Sequence, residues 1–180
     1  MILFPFFEDI ENKTFLVIGG GRVAAGKVEK LKQFTDNIIV ISEKTEITSV
    51  KVILRKFEEN DLSMGDYVIG ATGDRMLNRR ISELCRQRRL PVNIVDDPEL
   101  CTFIFPSLIK KGDLTVGITT AGKSPLVSQH IRKEIENILP DNIESILDEM
   151  GDLRERLKCE TDDQKQRAEI LRKRLAELIK

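Results

Sequence analysis

The run Thr14–Lys27, TFLVIGGGRVAAGK, constrains this chain's fold more than any other stretch. The apolar segment Phe15–Ile18 has the length of a buried parallel strand, and it stops at three consecutive glycines before a helical pattern begins. Gly19, Gly21 and Ala24 fill a G-x-G-x-x-G/A spacing. The first position serves a tight turn, the second the close approach of a pyrophosphate, and the third close packing of helix on strand. The N–H groups of Gly21, Arg22 and Val23 would then face a diphosphate, with the positive end of the helix dipole behind them. Many strand-to-helix turns need glycine for geometry alone, so a purely structural use stays open on this turn by itself.

The flanking sequence narrows the choice. Val23, Val28, Leu31 and Phe34 predict one buried helix face, and a second strand, Ile38–Ile41, leads into Ser42, Glu43 and Lys44. Glu43 lies about 20 residues beyond Gly21, where a dinucleotide fold places the acid that holds the adenosine ribose. A carboxylate there favours NAD over NADP. Lys44 works against that preference, and a solvated loop charge is the plainer use of Glu43. Lys51–Arg55 reads as a third strand, followed by a loop or short helix at Glu58–Asp61. Tyr67–Ile69 reads as a fourth strand, turning at Gly70–Asp74 into a helix with Asp74 as its N-cap. The C-terminal ends of parallel strands share one crevice, which makes Thr72 and Gly73 candidates for cofactor contact; turn chemistry accounts for them equally.

The helix expected over Arg75–Arg89 buries Met76, Leu77, Ile81 and Leu84, and its arginines either form a solvated face or match carboxylates bidentately. A fifth strand, Pro91–Val95, ends in Asp96-Asp97-Pro98. Asp96 is the titratable group best placed for chemistry, while Asp97 before Pro98 suits a turn. Thr102–Phe105 and Leu114–Thr119 then predict an antiparallel hairpin through the polar turn Lys110–Asp113. An isolated hairpin is marginal, so this one should pair with another sheet or a second subunit. Ser124 and Pro125 start a helix with Val127, Ile131, Ile135 and Ile138 on one face, and two charged amphipathic helices follow Pro140. The expected architecture is α/β: a Rossmann-like domain with a parallel sheet over residues 1–100, dimerisation strands over 101–122, and a small helical domain over 123–180.

Composition removes several function classes. With 29 Lys and Arg against 30 Asp and Glu, the net charge of −1 argues against a nucleic-acid partner. No apolar run approaches the ~20 residues of a membrane span. The opening MILFPFF has no basic leader and carries a proline, so it is expected to lie against the first domain rather than to act as a signal peptide. Cys85, Cys101 and Cys159 are scattered and His130 is the single histidine. That predicts reduced thiols, a cytoplasmic setting and no metal-ligand cluster.

The ordered set FPFF, VIGGGRVAAGK, GATGDRMLNRRI, NIVDDPELCTFIFPS and GITTAGKSP resembles the precorrin-2 dehydrogenase / sirohydrochlorin ferrochelatase family of sirohaem biosynthesis. The resemblance covers about Pro5 to Leu139, and NIVD followed by F-I-x-P-S is its most specific part. It implies a homodimer that binds NAD through Arg22, Val23, Glu43 and Lys44. It also implies that the essential aspartate closing the N-x-V-D run is Asp96. Thr120 stands where some bifunctional relatives have a serine that can be phosphorylated. The implied reaction is NAD-dependent oxidation of precorrin-2, a tetrapyrrole with eight carboxylates, to sirohydrochlorin, with insertion of ferrous iron as a second activity of some members. Arg75, Arg79 and Lys123 are candidates for holding the carboxylates. Two other classes account less well for Glu43 and Asp96 together: an NAD-binding regulatory module that uses the same Gly-rich turn, and a chelatase that uses the cleft for the macrocycle alone and does not use NAD.

Overall fold

The computed structural model describes residues 2–179, which divide into two compact units, one ending at Phe105 and the other beginning at Pro106. In the first unit, strands β1 (Phe15–Ile18), β2 (Ile38–Ser42), β3 (Lys51–Leu54), β4 (Tyr67–Gly70) and β5 (Val92–Ile94) form one sheet in the order β3-β2-β1-β4-β5. Every pairing is parallel. Helices α1 (Arg22–Leu31) and α2 (Arg75–Gln87) cover opposite faces. The β1 side chains are all buried and alternate between those faces: Leu16 and Ile18 pack with Ile81, Leu84 and Val92, whereas Phe15 and Val17 pack with Ala24, Val28 and Val40. Truncating Leu16 to alanine in a core this closed costs about 2–5 kcal/mol. The sheet grows from β1 to β3 on one side and resumes at β4 on the other. The carboxyl ends of β1 and β4 therefore flank a topological switch point, where open α/β sheets bind ligands.

Some side chains face differently from the periodicity. The buried face of α1 is Ala24, Val28 and Leu31, and Val23 is 49% exposed. Val23 sits one residue out of register with that stripe, at the open start of the helix. Met76 is likewise exposed, and α2 buries Asn78, Ile81, Ser82, Leu84 and Cys85. The segment Glu58–Asp61 forms part of a 3-10 helix over Glu59–Met64, where Asp61 accepts a bidentate pair from Arg55 at 2.8 and 2.6 Å.

The expected strand Thr102–Phe105 does not exist. The hairpin pairs β6 (Ser107–Lys111) with β7 (Leu114–Ile118) around Gly112 and Asp113, and Gly112 adopts φ +52°. Residues 101–105 instead run along the outer edge of β5. There the Thr102 N–H donates to the Val92 carbonyl at 2.8 Å, the Val92 N–H donates to Thr102 Oγ1 at 2.8 Å, and Asn93 Nδ2 donates to the Phe103 carbonyl at 3.0 Å. Phe103 meets the Tyr67 ring edge-on at 5.6 Å, and Tyr67 stacks on Phe15. The apolar, aromatic TFIF run reads as a strand, but its side chains close a sheet edge that would otherwise expose unpaired backbone groups.

In the second unit the hairpin packs on α3 (Pro125–Ile138), and β7 also meets α4 (Ile143–Glu160). Ser124 caps α3, as its position before Pro125 predicts. The expected apolar face of α3 is largely uncovered within the chain: Val127, Ile131 and Ile138 are exposed. Helix α5 (Gln164–Leu178) joins α4 through Arg174, which donates to Glu149 at 2.5 Å. Among the described residues no helix is long and apolar enough to cross a membrane.

Candidate functional site

The Gly-rich turn links β1 to α1, and each position is fixed by a different neighbour. Gly19 adopts φ +119°, and a Cβ there would stand 2.3 Å from the Ala71 carbonyl oxygen of the turn after β4. Only glycine fits. At Gly20 a Cβ would stand 2.3 Å from the Lys44 carbonyl oxygen, so the turn after β2 presses on this position just as closely. Around Gly21 a Cβ would meet nothing within 4 Å. Gly21 is the N-cap of α1, its backbone is extended, no side chain caps the helix, and the first turn carries no acid. Ala24, the third fingerprint position, is fully buried against the sheet. A tight turn, an open helix start and a small residue at the strand contact are what a diphosphate at this N-terminus requires, so the residues present fit a dinucleotide.

Arg22 and Val23 are exposed in the first turn of α1. Glu43 and Lys44 are exposed in the bend after β2, and the Glu43 carboxylate has no hydrogen-bond or ion-pair partner among the described residues. Ser42 Oγ donates to the Lys44 carbonyl at 2.8 Å, and Thr45 Oγ1 donates to the Gly20 carbonyl at 3.0 Å. The bend that carries Glu43 is thereby tied to the Gly-rich turn. Sequence reasoning missed Gly20 and Thr45; the polar Ser42 and Thr45 flanking Glu43-Lys44 are the signal that was there.

Across the switch point, Thr72 and Gly73 follow β4. Thr72 is held by Asn78, a buried residue of α2: the Thr72 N–H and hydroxyl donate to Asn78 Oδ1 at 3.3 and 2.7 Å, and Asn78 Nδ2 donates back to the Thr72 carbonyl at 3.1 Å. Asp74 accepts from the Met76 and Leu77 N–H groups at 2.8 and 3.1 Å and caps α2. Asn78 was also missed, since an asparagine in a helical pattern gives no hint that it faces a preceding turn.

Asp96 stands just past β5, exposed, with φ +60°. A non-glycine residue held in that region costs about 1–3 kcal/mol, and such strain clusters at functional sites. A cavity of about 250 Å³ brings Asp96 together with Thr72, Gly73, Arg75 and Asn78, with Ile94 and Leu100 as its apolar wall. Of the basic candidates in this unit, Arg75 lines the cavity and Arg79 does not. Lys123 belongs to the second unit.

One further cation faces this region from the other helix. Lys27 Nζ lies 4.1 Å from the Phe105 ring centroid, and burial, with Lys30 adding to it, lowers its pKa to about 8, while the charges of Cys101 and Asp96 act in the opposite direction. Burial pushes the Cys85 thiol up to about 12 and raises that of Cys101 as well, so neither is a ready thiolate. His130 is exposed on α3, and among the described residues no group of His, Cys, Asp and Glu could hold a metal ion.

A family model described as putative NAD(P)-binding matches residues 6–107, and a second, described as sirohaem biosynthesis protein central, matches residues 111–138. Among curated relatives, the siroheme synthase of Thioalkalivibrio sulfidiphilus is 39% identical over 148 residues, 78% of this chain and 30% of that protein. The siroheme synthase of Vesicomyosocius okutanii is 33% identical over 163 residues, 86% of this chain and 35% of that protein. The chain thus spans about a third of the length of these relatives. In fold it is similar to a solved structure described as SirC, precorrin-2 dehydrogenase, with a TM-score of 0.75 and 19% identity, covering 95% of this chain and 88% of that one. The match to both models, in order and over most of the chain, bears out at family level the resemblance carried by the sequence motifs: this chain belongs to the putative NAD(P)-binding family, in the form continued by the central region of sirohaem biosynthesis proteins.

Proposed function

We propose that this chain is an NAD-dependent dehydrogenase that oxidises precorrin-2 to sirohydrochlorin. The observation that carries the reading is the meeting, at one end of one sheet, of an uncapped helix start on β1 and a strained, exposed aspartate on β5. The siroheme synthase relatives and the precorrin-2 dehydrogenase fold supply the substrate class.

In this reading the diphosphate lies against the first turn of α1, with Arg22 and Val23 beside it and Gly21 leaving room. Glu43 accepts from the adenosine ribose hydroxyls; its unpaired carboxylate supports NAD in preference to NADP, whose added phosphate it would repel. Thr72 and Gly73 border the cofactor on the β4 side. Bound NAD supplies the hydride acceptor. Asp96 acts as general base, taking the proton that leaves as the macrocycle gives up its hydride, and Arg75 holds a substrate carboxylate. Ferrous iron, where it is inserted afterwards, enters as substrate, and Asp96 would accept the pyrrole protons it displaces. A homodimer is part of the proposal, supported by a two-stranded sheet of its own and by the exposed Leu126, Ile131 and Ile138.

The test is an anaerobic assay with precorrin-2 and either NAD or NADP, following sirohydrochlorin absorbance before and after ferrous iron is added. Sirohydrochlorin formation that depends on NAD supports the reading, and an iron-induced loss of that spectrum faster than without protein adds the chelatase. Binding of NAD without turnover would instead mark a regulatory module, and metal insertion without any need for NAD a simple chelatase. Asp96→Asn should lower kcat by about 10²–10⁴-fold. Near-normal NADH production by that variant would remove Asp96 from the chemistry.

A further inference from the structure

The loop that carries Asp96 is tied at both ends by one atom. The Ile94 N–H donates to Cys101 Sγ at 3.1 Å, and the same sulfur lies 3.2 Å from the Ile94 carbonyl and 3.3 Å from the Asp97 carbonyl, either of which the thiol proton can reach. Asn93 Nδ2 approaches it at 3.5 Å. Ile94 ends β5 at the sheet edge, so these contacts stand where a sixth strand would otherwise pair, and they bracket the residue with φ +60°. Cys101 is 6% exposed, has no cysteine partner and is no ready thiolate, which leaves a nucleophilic or disulfide role without support.

We propose that Cys101 is a positioning residue for Asp96: its thiol clasps both ends of the loop 94–97 and holds the left-handed backbone from which the carboxylate projects. The inference rests on the reading of Asp96 as proton acceptor. The protonated thiol suits the task because it accepts from one backbone N–H while donating to a carbonyl. Alanine at this position leaves the Ile94 N–H without its partner, and the loop is then free to relax from a left-handed conformation that costs any non-glycine residue free energy.

A double-mutant cycle on the whole chain tests this, with kcat from single-turnover NADH formation and NAD affinity measured separately. Cys101→Ala should lower kcat about tenfold, as a displaced catalytic group does, with NAD affinity changed less than twofold. Cys101→Ser, which restores a donor and acceptor on a shorter bond, should recover most of the loss. In an Asp96→Asn background the same Cys101→Ala change should cost less than twofold, because the group it positions is already gone. An equal loss in both backgrounds, or wild-type kcat in Cys101→Ala, overturns the proposal. Should Cys101→Ala not fold, Cys101→Val keeps a similar volume, removes the polar atom and carries the same cycle: a loss confined to the Asp96 background supports the proposal, and an equal loss in both overturns it. If Asp96→Asn alone leaves kcat intact, it is the reading of Asp96 that fails, whatever Cys101 does.

Discussion

Two helices start at neighbouring strand ends, and they are finished differently. Helix α2, after β4, has Asp74 as its N-cap, accepting two backbone N–H groups, with Thr72 and Asn78 bracing the turn before it. Helix α1, after β1, has a bare Gly21 and no acid in its first turn. The same chain caps α3 with Ser124 and α5 with Asp163, while α4 has no capping side chain but carries Glu144 in its first turn. Glycine is itself a tolerated N-cap, so a capping side chain at Gly21 would add only a few tenths of a kcal/mol, at a position where the structure has room for one. Orphan N–H groups and a helix dipole with nothing opposite them suit an anion that arrives with a ligand. In the proposed reading, the difference separates a turn that braces the fold from one left open for the cofactor's diphosphate.

The comparison can be strained in several ways. Gly19→Ala should have the largest effect, because it forces a positive φ on alanine and drives its Cβ into the Ala71 carbonyl; a loss of about 3 kcal/mol in urea unfolding is expected, and a loss under 1 kcal/mol would mean that the two turns do not press on each other. Asn78→Ala strips the Thr72 turn of its brace and should cost about 2 kcal/mol. Asp74→Ala should cost about 1 kcal/mol while NAD affinity stays within twofold. A large loss of affinity in that variant would erase the distinction between the two turns.

A pH-dependent effect concerns Lys27, whose pKa falls from 10.5 to about 8 in the folded chain. The unfolded chain keeps this proton up to its ordinary pKa and the native one releases it earlier, so between these values the native state binds fewer protons and this residue's contribution to stability rises with pH. Below about 8 both states are charged and the folded state bears the whole burial penalty. Lys27→Met should therefore melt higher than the wild type below about pH 8, with the gap closing as pH rises toward 10.5. A gap independent of pH would show that Lys27 is not held in this way.

Much of the first unit was legible because parallel strands are continuous apolar runs and the Gly-rich turn fixes where β1 stops. Asp74 and Ser124 were readable as caps for a local reason: the capping side chain and the N–H groups it meets lie within three residues. What escaped the sequence is decided by distant neighbours. Gly20 looks like a spare glycine until the Lys44 carbonyl is placed against it, and Asn78 looks like a solvated helix position until Thr72 is seen to lean on it. Thr102–Phe105 has the composition of a strand but meets β5 through one backbone bond and two side-chain bonds, which periodicity does not distinguish from a ladder. The α3 stripe was read correctly as apolar, yet its spacing carries no information on what covers it.

Placing a carboxylate on the open helix start is the most direct test of the account. In Gly21→Asp the new Cβ meets no neighbour and the backbone is already extended, as an N-cap requires, so the variant should fold and gain a few tenths of a kcal/mol from capping. Equilibrium titration with NAD should nonetheless show affinity reduced at least about tenfold, because the side chain fills the diphosphate's place with a like charge. A stable Gly21→Asp protein that binds NAD as tightly as the wild type would contradict the assignment of this turn as the cofactor site.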